Sequence, residues 1–160
     1  MDSVIFHHLP DIECDLPPKH VLATQRPHPP PTVEDIDAYL VNDGTNEWVT
    51  SFLTDTKRLG EEFQRHKHKP TCRKKGTECR FDFPHEYVAE SYFDENTNSI
   101  IIRCLDPWVN NHNPFILVCS RNNHDLKCIL SGKAAKGAML YITDYITKMD
   151  MKTGEMLSLL

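Results

Sequence analysis

The sequence predicts an α+β fold: a partial antiparallel sheet of hairpins with a C-terminal helix, preceded by N-terminal helices and a His/Cys loop. Apolar residues recur at helical spacing over residues 32–65. The hydrophobic period then changes to two on both sides of the turn-forming sequence ENTN at 95–98. Residues 131–150 return to a helical period with many alanines. Separate helices combined with antiparallel hairpins are typical of this fold class.

The first segment, residues 1–31, is predicted to be extended or disordered and to add nothing to a core. It carries most of the 11 prolines of the 160-residue chain. The sequence has no apolar run near the ~20 residues that a membrane span requires. Its acidic, proline-interrupted start does not resemble a signal peptide. We therefore expect an intracellular protein that is not secreted and has no membrane partner.

Two helices are predicted over residues 32–65. The first begins at Thr32, which forms a loose capping box with Asp35. The second runs roughly from Glu47 to Arg65, where Trp48 and three further apolar residues follow a near-helical spacing. The sequence Asn-Asp-Gly at 42–44 separates the two helices, since these residues favour turns.

The strands are predicted as two hairpins. The first consists of EYVAESYFD and SIIIRCL on either side of ENTN, and the second of PFILVCS and DLKCIL on either side of RNNH. The cysteines in these apolar runs, Cys104, Cys119 and Cys128, are expected to be buried thiols. A helix over 131–150 then carries an apolar stripe, and residues 151–160 form a tail. We therefore expect residues 66–150 to form one α+β domain.

A candidate metal site lies in the basic loop between helices and strands. Two histidines and two cysteines form the pattern H-x-H-x3-C-x6-C, and they are the side chains that tetrahedral zinc prefers in structural sites. The spacing is not that of the common zinc fingers. The alternative is a basic loop with exposed histidines and ordinary cysteines, and Cys14 or His85 could replace a ligand. The four candidate ligands are His66, His68, Cys72 and Cys79.

The same loop is a candidate surface for an anionic partner. The chain has a net charge of −5, yet residues 61–80 hold seven basic and three acidic side chains. Phe81, Tyr87 and Trp108 could stack on bases, although core packing is the alternative for Trp108. A solvated loop is the alternative for the charges. The candidate phosphate contacts are Lys67, Lys69, Arg73, Lys74, Lys75 and Arg80.

A candidate catalytic face is the sequence YITDYITK at 141–148. On a helix, Tyr141 and Tyr145 lie one turn apart and Lys148 continues their face. A phenol can attack phosphorus and form a covalent phosphotyrosine. A nearby lysine can stabilise charge on the phosphate. By spacing alone, aromatic packing at the rim of the core is the stronger interpretation.

The order of motifs over residues 66–148 resembles the N-terminal helicase-like (Rep) region of Helitron rolling-circle transposases. The resemblance rests on HKHKPTC and CRFDFP, on PWVNN, on RNNHDLK and on the closing YITDYITK. It implies nicking and strand transfer of single-stranded DNA in rolling-circle transposition, with Tyr141 and Tyr145 as nucleophiles and Lys148 assisting. It also implies zinc at the His/Cys stretch and a nuclear location.

The chain departs from the family in two respects. Rep nucleases hold Mg²⁺ or Mn²⁺ through a His-hydrophobe-His motif, which is not found in this sequence, and this ion polarises the scissile phosphate. The helicase motor is also missing, since no G-x4-GK[ST] loop occurs. The chain therefore resembles the C-terminal half of a Rep domain, and we expect weak or no activity without the other Rep half and a helicase domain.

Two alternatives to an enzyme fragment follow from these departures. The first is a zinc-stabilised module that binds nucleic acid without chemistry. The second is a non-functional transposon remnant that folds only in part.

Overall fold

The structure, a computed structural model, describes residues 4–72, 79–128 and 136–143. The chain divides into two compact units, which consist of Met1–Tyr92 with Ile102–Lys127, and of Phe93–Ile101 with Cys128–Leu160. The α+β class is confirmed, because helices accompany a two-stranded antiparallel hairpin. Within the described ranges, the helices are all too short or too polar to cross a membrane.

Three helices precede the His/Cys loop: α1 (Lys19–Thr24), α2 (Val33–Leu40) and α3 (Glu47–Leu59). The predicted capping box is confirmed, since Thr32 and Asp35 exchange hydrogen bonds at the start of α2. The side chain of Asn46 accepts a hydrogen bond from the N–H of Val49 and caps α3.

The predicted helix from Glu47 to Arg65 is confirmed, but its last turn changes its hydrogen bonding. After α3 the chain continues as a π-helical turn, Gly60–Gln64. A Cβ atom at Gly60 would lie 2.1 Å from a methyl carbon of Leu9, so only glycine lets this side chain approach the turn. The backbone becomes extended at Arg65 and delivers the chain into the His/Cys loop.

The core of the first unit differs from the prediction for residues 1–31. Leu22 of α1 is fully buried and belongs to the same cluster as Phe52 and Leu59 of α3. The proline-rich segment was expected to add no core, yet prolines confine the chain locally without preventing one short helix from docking. The cluster is completed by Leu117 and Val118.

These last two residues belong to α4 (Pro114–Ser120), so the predicted second hairpin is wrong at its first strand. The side chain of Asn113 accepts a hydrogen bond from the N–H of Ile116, and Pro114 occupies the first helical turn, where no N–H is needed. A short apolar run fits a buried strand and a buried helix equally well. The side-chain cap at Asn113 favours the helix for this segment.

The first hairpin is confirmed as β1 (Tyr92–Asp94) and β2 (Ser99–Ile101). Asp94 closes the turn, because its carboxylate accepts hydrogen bonds from the N–H of Asn96 and the hydroxyl of Thr97, at 3.0 and 2.6 Å. Residues 136–143 are helical, as predicted for the middle of the C-terminal helix. Its remaining predicted residues, 131–135 and 144–150, lie outside the described part of the chain.

Three isolated antiparallel bridges organise the loops of the first unit. They pair Phe6 with His112, Arg65 with Val109, and Val88 with Cys104. The bridge between Arg65 and Val109 matters most for the candidate site, because it places the start of the His/Cys loop against residues 108–109. The N–H of His66 donates to the carbonyl of Trp108 at 2.7 Å in the same pairing.

Candidate metal centre

The four predicted ligands lie together. One ligand atom from each of His66, His68, Cys72 and Cys79 falls within 4.8 Å of all the others, so this group could hold a metal ion. Nε2 of His66 is 3.3 Å from Nδ1 of His68 and 3.4 Å from Sγ of Cys79. Nδ1 of His68 is 3.4 Å from Sγ of Cys72. The proposed alternatives, Cys14 and His85, are not part of this group.

Three of the six separations between these atoms match edges of a tetrahedron around one ion. With a metal–nitrogen bond of about 2.0–2.1 Å and a metal–sulfur bond of about 2.3 Å, neighbouring tetrahedral ligands are about 3.3–3.8 Å apart. The contacts of His66 with His68 and Cys79, and of His68 with Cys72, are 3.3 to 3.4 Å long. The other separations are at most 4.8 Å, so the group can contract around one ion.

Backbone hydrogen bonds bring the two cysteines to the histidines. A 3-10 turn, Pro70–Cys72, directs Cys72 back towards the histidines, and the N–H of Lys69 donates to Sγ of Cys72 at 3.4 Å. The N–H of Arg80 donates to the carbonyl of Cys72 at 2.9 Å. This last hydrogen bond brings Arg80 against Cys72, so Cys79, which precedes Arg80, lies beside Cys72.

Aromatic rings enclose the histidine side of the group. The ring of Phe83 is parallel to that of His66, with centroids 4.2 Å apart and planes at 5°. Phe81 contacts His66 edge-on at 6.0 Å, and Trp108 contacts His68 edge-on at 5.4 Å. These contacts hold both imidazoles in orientation and shield them from water on one side.

The electrostatic surroundings favour the metal-binding protonation states. Burial, followed by the neighbouring His68 and His85 rings, lowers the pKa of His66, which keeps the imidazole neutral. Burial by itself would raise the pKa of Cys79. Hydrogen bonds from the backbone N–H groups of Phe81 and Phe83 outweigh it, so the pKa of this thiol falls below its ordinary value and thiolate forms more readily.

Half of the predicted phosphate contacts lie in the described part of the chain. Lys67, Lys69 and Arg80 are exposed beside the four ligands. Lys67 makes a long ion pair with Glu62 at 3.9 Å, and the guanidinium of Arg80 covers the ring of Phe81 at 4.4 Å. The other three predicted contacts, Arg73, Lys74 and Lys75, lie outside the described residues.

The predicted catalytic face is described only in part. Tyr141 lies in the helical stretch 136–143 and its side chain is 65% exposed. An exposed phenol differs from the packing at a core rim that spacing alone favours. Tyr145 and Lys148 lie outside the described residues.

The cysteines outside the site that were predicted to be buried differ in their exposure to solvent. Cys104 is buried, as predicted, but Cys119 is exposed and Cys128 is partly exposed. Cys119 follows the buried Leu117 and Val118 on α4, and a helix turns consecutive residues to different faces. Its predicted burial depended on the strand that is replaced by this helix.

A second histidine cluster was not predicted. The ring of His7 lies 5.1 Å from that of His85, and the ring of His112 lies 6.4 Å from that of His124. His7 and His112 are both buried. The sequence offered a signal in its nine histidines and the pair at 7–8, but nothing in it placed residues 7, 85, 112 and 124 together.

No protein-family model, curated protein or solved structure matches this chain.

Proposed function

We propose that the chain is a zinc-stabilised module that binds single-stranded DNA, as part of a Helitron-like Rep protein. The observation that carries this proposal is the clustering of two imidazole nitrogens and two thiol sulfurs within 4.8 Å of one another. The affiliation with Helitron Rep proteins rests on the order of motifs in the sequence. On the same resemblance, we propose a nuclear location, with the other Rep half and a helicase as partners.

Zinc suits the four donors better than the other common metals. Two thiolates with two imidazoles form a closed N₂S₂ set, whereas magnesium and calcium prefer oxygen ligands. A closed set of four protein ligands leaves no position for a substrate or an activated water molecule. The proposed ion is therefore structural, and it would fix the loop whose side chains contact DNA.

Exposed basic and aromatic side chains beside this centre support DNA binding. Lys67, Lys69 and Arg80 supply positive charge to phosphates. Phe81 is 48% exposed and Trp108 is 37% exposed, so each has a ring surface on which an unpaired base could stack. Stacking on such rings requires no base pairing, which favours a single strand over a duplex.

Binding of a labelled oligothymidine by the zinc-loaded protein over a salt series tests this function. We expect the logarithm of the binding constant to fall linearly with that of salt concentration, by about 0.7 for each phosphate contact. Changing Lys67, Lys69 and Arg80 together to Gln should weaken binding and flatten this dependence. Lys19→Gln with Lys127→Gln is the matched control, because both lysines are exposed. Equal binding by all three proteins would contradict the proposal.

Tyrosine-mediated nicking is the second candidate function. The order of motifs suggests it, and the exposure of Tyr141, which its neighbours Met139 and Ile142 share, is compatible with it. Its phenol would attack a DNA phosphate, with Tyr145 as the second nucleophile and Lys148 stabilising charge. A divalent ion, Mg²⁺ or Mn²⁺, would be required. Because the sequence lacks the family's histidine motif for that ion, we expect weak nicking or none by the chain alone.

Incubation with an oligonucleotide and Mn²⁺, followed by a denaturing gel, tests nicking. A covalent protein–DNA adduct that disappears in the Tyr141→Phe, Tyr145→Phe double variant would support it. An adduct that survives in that variant would contradict tyrosine catalysis by this pair, and no adduct with the unmodified chain would exclude nicking by the chain alone. A non-functional remnant, the remaining alternative, would show neither adduct nor salt-dependent binding.

A further inference from the structure

The two thiols of the metal group are close enough to bond to each other. Sγ of Cys72 and Sγ of Cys79 lie within 4.8 Å, and the N–H of Arg80, the residue after Cys79, donates to the carbonyl of Cys72 at 2.9 Å. A disulfide needs its sulfurs at about 2.05 Å and its Cα atoms at about 4.4–6.8 Å. Because the backbones are already adjacent, side-chain rotation can supply most of the required movement.

The two thiols differ in access to solvent. Cys72 is 3% exposed and its sulfur accepts a hydrogen bond from the N–H of Lys69. Cys79 as a whole residue is partly exposed, although it is buried within the group of four ligands, as Cys72 is. We expect a small oxidant to reach Cys79 first, because Cys72 is the more buried residue and its sulfur is held by the N–H of Lys69.

We propose that Cys72 and Cys79 form a redox-sensitive pair, which a peroxide closes to a disulfide with release of the bound metal ion. This inference rests on the proposed zinc site and assigns a means of regulating it. Removing both thiolates leaves only His66 and His68 as ligands. Two imidazoles hold zinc far less tightly than the complete set. Oxidation would therefore release the ion, and the His/Cys loop would no longer be fixed by it.

The chemistry balances with one peroxide for each pair. The thiolate of Cys79 attacks a peroxide oxygen, the O–O bond breaks, and the departing hydroxide takes a proton to become water. Cys79 is then a sulfenic acid. The thiolate of Cys72 attacks its sulfur, the S–S bond forms, and the S–O bond breaks with release of a second hydroxide that is also protonated. The thiolates lose two electrons, hydrogen peroxide gains them, and the metal ion is released.

Peptide mapping after hydrogen peroxide treatment tests the pair directly. Trypsin cleaves between the two cysteines at Arg73, Lys74 and Lys75. A disulfide therefore joins the peptides HKPTCR and GTECR into one species, which lacks two hydrogen masses relative to their sum and is lost on reduction. We expect this species to appear together with one released zinc ion per molecule. Its absence, with the thiols free or oxidised separately, would overturn the inference.

The order of attack is tested by trapping sulfenic acid with dimedone. In Cys72→Ser the acid formed at Cys79 has no partner, so we expect strong labelling of Cys79. In Cys79→Ser, we expect several-fold weaker labelling of the buried Cys72. Equal labelling of the two variants would overturn the assigned order. A background with Ser at positions 14, 119 and 128 removes the other accessible thiols and leaves the buried Cys104.

Metal analysis before oxidation separates this inference from the function on which it rests. Zinc in the reduced protein without a peroxide-induced disulfide would overturn the redox pair and leave the zinc site standing. A reduced protein without zinc would overturn the zinc site and metal release with it.

Discussion

The imidazole of His66 lies parallel to the phenyl ring of Phe83, with their centroids 4.2 Å apart and their planes at 5°. Phe83 is buried and also contacts the ring of His85, at 4.2 Å. The phenyl ring therefore occupies the space into which the imidazole of His66 would otherwise turn. Since Nε2 is one of the four clustered atoms, this packing helps to orient it.

Phe83→Ala is therefore expected to weaken zinc binding without removing a ligand. Loss of a group that orients a ligand typically costs about 10–100-fold in metal affinity. Competition with a chromophoric chelator measures this affinity. Phe93→Ala, which removes an exposed phenyl ring from β1, is the matched control and should bind zinc as the unmodified chain does. An unchanged affinity in Phe83→Ala would contradict a positioning role for this ring.

Arg121 connects segments that are far apart in sequence. Its side chain is 4% exposed and forms an ion pair with Asp55 of α3 at 3.0 Å. It also donates to the carbonyl of Leu22 at 2.6 Å and to the side chain of Gln25 at 2.7 Å. One guanidinium thus holds α1 and α3 at the end of α4.

Arg121→Ala is expected to lower the free energy of unfolding by about 3–5 kcal/mol, because it leaves a half-buried carboxylate and a buried carbonyl without their partner. Urea unfolding at a fixed excess of zinc measures this change. Lys127→Ala breaks an exposed ion pair with Asp125 and should change stability by less than about 1 kcal/mol. Similar losses in the two variants would show that the buried ion pair does not anchor the N-terminal segment.

The buried histidines make stability depend on pH. Burial, followed by the charge of the neighbouring His85, lowers the pKa of His7 to about 4. Burial likewise lowers the pKa of His112 to about 4, against a hydrogen bond to the carbonyl of Asn110. Nε2 of His7 has no hydrogen-bond partner among the described residues. A proton on this nitrogen would therefore have no acceptor to stabilise it.

Stability is therefore expected to fall as the pH decreases from about 6.5 to about 4. In this window the unfolded chain binds protons that the folded histidines exclude, so the stability present above pH 6.5 is lost on the way down. A depression to about 4 corresponds to about 3 kcal/mol for each histidine. The loss should be smaller in His112→Phe and unchanged in His20→Phe, since His20 is exposed.

Unfolding free energies at several pH values check this prediction. Slopes rather than absolute stabilities are compared, because His112→Phe also removes a hydrogen bond to Asn110. The proposed zinc ligands are the same in all three proteins, so any release of metal in acid should affect the three alike. Identical slopes in the three proteins would mean that His112 is not the group that titrates.

Local signals predicted most of the helices and the metal group. Thr32 with Asp35 marked the start of α2, and the spacing of His66, His68, Cys72 and Cys79 identified donors that the fold indeed brings together. Such features depend on neighbouring residues, or on donor chemistry that restricts the choice. They can be derived before any tertiary contact is known.

The features that were not predicted have two causes. The apolar run at 114–120 is a helix capped by Asn113, a local signal that the short apolar run concealed. Leu22 lies in the core with Phe52 and Leu117, and the buried Arg121 binds its carbonyl, so its burial depends on contacts distant in sequence. The histidine cluster needs the pairing of Phe6 with His112, which spans most of the chain. None of these follows from periodicity.

Zinc content of the purified, reduced protein is the most direct test of the account. We predict one zinc ion per chain in the unmodified protein and a loss of at least an order of magnitude in affinity in Cys72→Ser. Cys119→Ser, which changes an exposed cysteine outside the group, should retain one ion. A reduced protein that contains no zinc, or one that binds zinc equally well after Cys72→Ser, would contradict the proposed metal centre.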